Sequence, residues 1–136
     1  MQSRNSSLNA IRLDRISNTI KSEMSSEEYF QNSVLRPIIK FQNDLLLAAF
    51  LNFSNKYKNV FFDLSTEKKV NYIENAIAKD STFRNSLKDM IVGLFTVDEY
   101  NQYIPNASAL NKRMTGIIKE RLISHVQLLS EMGPTA

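Results

Sequence analysis

The residues best suited to chemistry in this sequence are Arg121 and His125, which lie one turn apart on a predicted helix. At about 100° per residue, both fall inside the apolar stripe of that helix. A guanidinium group and an imidazole in such a place could bind an anion or move a proton, with Asp44 or Glu74 as the acidic partner. In the alternative interpretation, Arg121 extends to solvent and His125 makes an ordinary hydrogen bond in the core.

Gln42 adds a second polar group to an apolar helix face, within the sequence Gln42-Asn43-Asp44. A buried amide needs a hydrogen-bond partner, so we expect Gln42 to find one inside the protein. Arg121, His125, Gln42 and Asp44 are therefore the candidate binding residues. The sequence predicts no catalytic residue.

The composition excludes several kinds of site. Among 136 residues there is no Cys, one His and three Gly. The absence of Cys excludes a disulfide scaffold, a cysteine zinc site and a thiol nucleophile. The isolated glycines form no Gly-rich phosphate loop. We expect no metal and no cofactor, and an enzyme is disfavoured.

Charge and hydropathy bear on partners and location. The net charge is +3, and the basic excess lies at the two ends of the sequence, in residues 1–24 and 107–136. Such an excess makes nucleic-acid binding through the termini an alternative, although not the favoured one. Residues 1–24 contain no apolar signal-peptide core. The longest apolar run, residues 45–51, is far shorter than the roughly 18 residues of a membrane span. We expect a cytoplasmic protein with no membrane partner.

The elements that would position these residues are helices. Apolar residues recur at helical spacing through residues 26–132, which predicts an all-α, single-domain bundle of five or six helices. The longest are expected at residues 37–57 and 107–131, with a kink or a new start at Pro37. Residues 1–24 are expected to be a partly disordered extension or a short helix through Leu13 and Met24, and residues 25–132 the bundle domain. Predicted helix caps are Ser25 with Glu28, Ser65, Asp80 or Ser81, Thr96 with Glu99, and Asn106, and Gly133-Pro134 is the predicted stop.

The sequence has a surplus of apolar surface for one small domain. It includes residues 45–51, the connection Val60-Phe61-Phe62 and the pair Tyr100 and Tyr103. Surplus apolar area often forms a homodimer or partner interface, whereas the alternative is a well-filled monomer core. Our leading hypothesis is a non-enzymatic protein that acts through protein–protein contacts as a homodimer. The second is a nucleic-acid-binding protein, and the third is a small-ligand binder around Arg121 and His125.

Several segments resemble a group of small, uncharacterised bacterial helical proteins, and the resemblance covers roughly residues 27–130. The segments are residues 35–47, 72–77, 83–85, 109–114 and 119–122. Some proteins of that group carry a glyoxalase label. Metal-dependent glyoxalases use His and Glu ligands on paired βαβββ units, and this sequence has neither those ligands nor predicted strands. The resemblance therefore implies a family, and it implies no activity and no site residues.

Overall fold

The computed structural model describes residues 2–11 and 25–134, and every regular element in these ranges is helical. The predicted all-α helical bundle is confirmed. The helices are α1 (Gln2–Ile11), α2 (Ser26–Phe30), α3 (Arg36–Phe41), α4 (Asn43–Lys56), α5 (Thr66–Lys79), α6 (Ser81–Val92), α7 (Val97–Tyr103), α8 (Ala107–Ser124) and α9 (Val126–Met132). A π-helical turn covers Gln31–Leu35, and 3₁₀ turns cover Val60–Asp63 and Ile104–Asn106.

Nine α-helices are described where five or six were expected, because each of the two long predicted helices is interrupted and α1 forms at Gln2–Ile11. The first is interrupted at Gln42 (φ −87°, ψ 7°), between α3 and α4. The second is interrupted at His125 (φ −104°, ψ 17°), between α8 and α9. The predicted helix through Leu13 and Met24 lies outside the described residues.

Local capping explains where most helices begin and end. Ser25 and Ser65 accept the backbone N–H groups of Glu28 and Lys68, as the sequence predicts. Thr96 and Glu99 form the complete reciprocal capping box of α7. The carboxylate of Asp80, rather than the hydroxyl of Ser81, caps α6 by accepting the N–H of Phe83 at 3.0 Å. Gly133 takes a positive φ of 71° and ends α9.

The contacts of the chain form two compact units. The first unit comprises Met1–Gln42 and Lys88–Ile117, and the second comprises Asn43–Leu87 and Ile118–Ala136. The predicted division into an extension at 1–24 and a bundle domain at 25–132 stays a prediction.

In the first unit, α1 is anchored to the connection between α6 and α7. The guanidinium of Arg4 donates to the carbonyl of Phe95 at 2.7 Å and to that of Gly93 at 3.1 Å. Phe95 in turn packs edge-on against the rings of Phe30 and Tyr103, with centroid separations of 5.6 and 5.5 Å. These contacts give the first unit a small aromatic core.

The second unit is built around a larger aromatic cluster. The rings of Phe50 and Phe61 are fully buried and meet edge-on at 5.0 Å. Tyr72 of α5 packs against both rings at 6.0 and 5.5 Å. Phe53 stacks on Phe83 at 4.2 Å, which joins α4 to the start of α6. This cluster fixes the surface on which the candidate site lies.

Candidate functional site

The second unit has an open surface groove with a volume of about 830 Å³, which we call the aromatic groove. It is lined by the last turn of α4, the connection after it, the C-terminal half of α5 and the start of α6. Its apolar lining comes from Phe53, Tyr57, Val60, Tyr72 and Ala76. Tyr57 and Val60 are 51% and 48% exposed, so the groove is an open trough on the surface.

Three lysines, Lys56, Lys58 and Lys79, line the same groove. All three side chains are exposed, and no carboxylate among the described residues lies within ion-pair distance of them. The one acidic lining residue, Asp80, already accepts the N–H of Phe83 and the hydroxyl of Tyr57. The groove therefore combines apolar surface with an excess of positive charge.

The backbone at the end of α4 takes a shape that few residues adopt readily. Lys58 and Asn59 both have left-handed conformations, with φ of 63° and 57°. This allows the N–H of Asn59 to reach back to the carbonyl of Ser54 at 3.0 Å, the pattern of a Schellman helix end. Glycine is the usual residue in this conformation, because a Cβ atom clashes with the backbone there. At Lys58 the chain carries a long cationic side chain instead.

Tyr72 is the titratable group of the groove whose pKa is altered. Burial raises the pKa of Tyr72 above its ordinary value of 10.0, and the neighbouring Tyr57 raises it further, while the Ser54 hydroxyl lowers it. The phenol of Tyr72 is thus held more firmly in its neutral form, which suits an apolar contact surface.

Arg121 and His125 lie in the second unit, and both are half-buried. The guanidinium of Arg121 donates to the Oδ1 atom of Asn43 at 3.1 Å, so its partner is Asn43 and not the expected Asp44 or Glu74. Nδ1 of His125 lies 2.7 Å from the carbonyl of Arg121. The imidazole thus contacts the last turn of α8, at the break between α8 and α9. That His125 and Arg121 bind a ligand stays a prediction.

The other two candidate residues have separate surroundings. Gln42 belongs to the first unit, where its side-chain amide donates to the carbonyl of Met90 at 3.0 Å. Gln42 thus has a hydrogen-bond partner within its own unit, at a part-buried position. Asp44 belongs to the second unit, is exposed, and accepts a hydrogen bond from the amide of Asn43 at 3.2 Å.

Several arginines in the basic ends of the chain bind the protein itself. Arg4 donates to two backbone carbonyls of the first unit. Arg113 donates to Gln31 at 3.0 Å and lies 3.6 Å from the carboxylate of Glu27. Arg121 donates to Asn43. These three guanidinium groups bind other parts of the protein. The number of basic residues at the two ends of the sequence therefore overstates how many are available to bind phosphate groups.

The first unit contains a smaller polar cleft of about 300 Å³. Its polar lining includes Ser33, which donates to the carbonyl of Tyr29 at 2.6 Å, and the capping box of Thr96 and Glu99. These groups serve the local helix structure. Across residues 2–11 and 25–134, no group of three or more His, Asp or Glu side chains could hold a metal ion. No helix in the same ranges is both long and apolar enough to cross a membrane.

The chain matches no protein-family model, no curated protein and no solved structure at a significant level.

The sequence does not predict the aromatic groove, because the helical pattern over residues 37–57 indicates one continuous helix that includes Phe53 and Tyr57. Only Val60 among its apolar residues was singled out as surplus surface. One local signal was available. Lys56, Tyr57 and Lys58 place two cations around an aromatic residue where a predicted helix ends without glycine.

Proposed function

We propose that this protein is a non-enzymatic cytoplasmic protein that acts through contacts with another protein, and that the aromatic groove is its docking surface. The main support is the apolar lining of the groove together with three lysines that lack an acidic partner among the described residues. Tyrosine and other aromatic residues are enriched at the centres of protein interfaces, and polar residues surround them.

The openness of the groove favours a protein partner over a small molecule. Pockets for small molecules bury most of the ligand surface, usually 70–90% or more. Here Tyr57 and Val60 are about half exposed, so the trough covers one side of an occupant. A segment of a second protein could cover the exposed halves of both side chains.

A pair of matched tyrosine variants tests this proposal. Tyr57 lines the groove and is 51% exposed, whereas Tyr100 lies on α7 and is 45% exposed. Each ring contacts one aromatic neighbour within its own unit. This neighbour is Phe53 for Tyr57 and Tyr103 for Tyr100. The two truncations therefore remove side chains of similar size and exposure, and Tyr57→Ala also removes the hydrogen bond from the Tyr57 hydroxyl to Asp80.

The tagged chain is used to capture partners from its host, and retained proteins are quantified by mass spectrometry. If the groove is the docking surface, Tyr57→Ala reduces retention of a stoichiometric partner by more than about tenfold, as for a hot-spot residue. Tyr100→Ala retains it. Circular dichroism checks that both variants fold. Equal retention by the two variants, or loss with Tyr100→Ala alone, would overturn the proposal.

A further inference from the structure

Building on the proposed function, we infer that the occupant of the aromatic groove is an acidic, amphipathic helix of the partner protein, and that Lys58 selects it. The inference rests on three features of the groove: the helical spacing of its lining, its net positive charge, and the backbone conformation of Lys58.

The lining has the length and spacing of a helix-binding trough. On α5 the lining residues Tyr72, Ala76 and Lys79 follow one another at helical spacing and span about 10.5 Å, or two turns. On α4, Phe53 and Lys56 repeat the spacing along one more turn. Grooves of this kind take the apolar face of an amphipathic helix, with anchors at positions i, i+4 and i+7.

The charge of the lining specifies the sign of the partner. Lys56, Lys58 and Lys79 supply three positive charges against the one negative charge of Asp80, so the lining has a net positive charge. Glutamate or aspartate beside the apolar anchors of a docked helix would complement these lysines and exclude basic helices.

The conformation of Lys58 favours a role for its side chain outside the fold. Its φ of 63° is unfavourable for a residue with a Cβ atom, and glycine would relieve the clash. The Lys58 side chain is exposed, so its removal costs little packing within the fold. A strained residue that contributes little to stability and lines a groove fits a binding role.

The same lysines could attract a nucleic acid, but the rings of the groove are poorly placed to stack on bases. Phe53 is already stacked on Phe83 at 4.2 Å and also contacts Tyr57 at 4.9 Å. Tyr72 packs against Phe50 and Phe61. Binding of single strands relies on free aromatic faces along a basic track. The aliphatic lining of Val60 and Ala76 is better suited to leucine-like side chains.

A displayed peptide library tests the charge preference directly. Each helical peptide carries apolar residues at i, i+4 and i+7, and each flanking position encodes Glu, Gln or Lys with equal weight. Selection on the full chain is expected to enrich Glu over Gln, and Gln over Lys. The retained peptides should lose binding to the Tyr57→Ala variant.

Lys58→Gly then separates binding from stability. We expect it to weaken binding of the selected peptides about two- to fivefold, the usual effect of one exposed ion pair, while it raises the urea midpoint of unfolding. Lys68→Ala, which removes an exposed lysine outside the groove lining, should leave peptide binding unchanged. A Lys58→Gly variant that binds as tightly as the wild type, or that has a lower urea midpoint, would overturn the role of Lys58.

The outcomes distinguish this inference from the proposed function. If retention of the host partner depends on Tyr57 but the selected peptides show no preference for Glu, only the inference fails. The inference also fails if no library peptide is retained, or if a 12-residue single-stranded RNA displaces the selected peptides from the groove. If retention of the host partner does not depend on Tyr57, the proposed function itself fails.

Discussion

The hydroxyl of Tyr57 donates to Oδ2 of Asp80 at 3.3 Å, while Oδ1 of the same carboxylate accepts the backbone N–H of Phe83 at 3.0 Å. One side chain thus caps α6 and also holds the tyrosine that follows α4. The contact links residues 23 positions apart in the sequence. It makes the shape of the aromatic groove depend on the start of α6.

Replacing Asp80 should therefore affect the stability of the second unit. Asp80→Ala removes the helix cap, and we expect the free energy of unfolding to fall by about 1 kcal/mol. Urea unfolding followed by circular dichroism measures this change. Asp80→Asn, which keeps an oxygen for the N–H of Phe83, should retain most of the stability. Asp98→Ala, which removes an exposed acidic residue from the first turn of α7, is the control, and an equal loss there would contradict the capping role of Asp80.

The capping box of α7 should behave as a coupled pair. The N–H of Thr96 donates to the carboxylate of Glu99 at 2.8 Å, and the N–H of Glu99 donates to Oγ1 of Thr96 at 3.1 Å, both in buried surroundings. Glu99→Ala leaves a buried N–H without this acceptor, so we expect a loss of about 1–3 kcal/mol.

A double-mutant cycle with Thr96→Ala measures the coupling between the two residues. The coupling energy should exceed about 0.5 kcal/mol, as for residues in direct contact. The cap at Ser25 is exposed, and we expect Ser25→Ala to cost less than either change in the box. Strict additivity of Thr96→Ala and Glu99→Ala would contradict the prediction.

Alkaline pH should destabilise the protein through Tyr72 and Tyr103. Burial raises the pKa of Tyr72 above 10.0, and it raises the pKa of Tyr103 as well. As the pH rises through 10, the unfolded chain loses these protons first and the native state retains them. The free energy of unfolding therefore falls with rising pH in this range.

Urea unfolding at about pH 9 and about pH 10.5 tests this pH dependence. Tyr72→Phe keeps the ring contacts and removes the titrating hydroxyl, so the loss of stability between the two pH values should become smaller. Tyr29→Phe, at an exposed tyrosine, is the control. The same pH dependence in wild type and Tyr72→Phe would contradict the prediction.

Self-association predicts a mass of about twice the 15.6 kDa of one chain. Leu128 and Met132, one turn apart on α9, are 42% and 48% exposed and would gain from burial between two copies. Multi-angle light scattering across a hundredfold range of concentration measures the mass. Leu128→Glu should shift the equilibrium toward the monomer. If the wild type also has the mass of a monomer at every concentration, the prediction of a homodimer is contradicted.

The features that sequence predicted well are those set by near neighbours. The caps at Ser25, Ser65 and Thr96 join residues three positions apart, and Gly133 ends α9 through its own φ. Such interactions depend on a few residues that are close in the sequence, so the spacing of those residues predicts them. The all-α class follows from the same local patterns.

The features that sequence did not predict depend on distant residues. The helix interruption at Gln42 accompanies a hydrogen bond to Met90, 48 positions away. The predicted helix at residues 37–57 includes Tyr57, but α4 ends at Lys56, and Tyr57 is 51% exposed. The sequence offered Asp44 or Glu74 as an acidic partner for Arg121, or extension of Arg121 to solvent, but the hydrogen-bond partner is the neutral Asn43. The groove combines α4, α5 and α6, and no periodicity within one helix reveals it.

The π-helical turn at Gln31–Leu35 has a consequence for how relatives of this chain should be compared. In it the N–H of Arg36 reaches the carbonyl of Gln31, five residues back, directly before Pro37. Each such turn holds one more residue than an α-helical turn. It is equivalent to a single-residue insertion accommodated inside a helix. The sequence of a relative without this turn would align with this chain only through a one-residue gap between α2 and α3. Sequence alignment normally disfavours gaps inside helices, so such a relative is easily misaligned there.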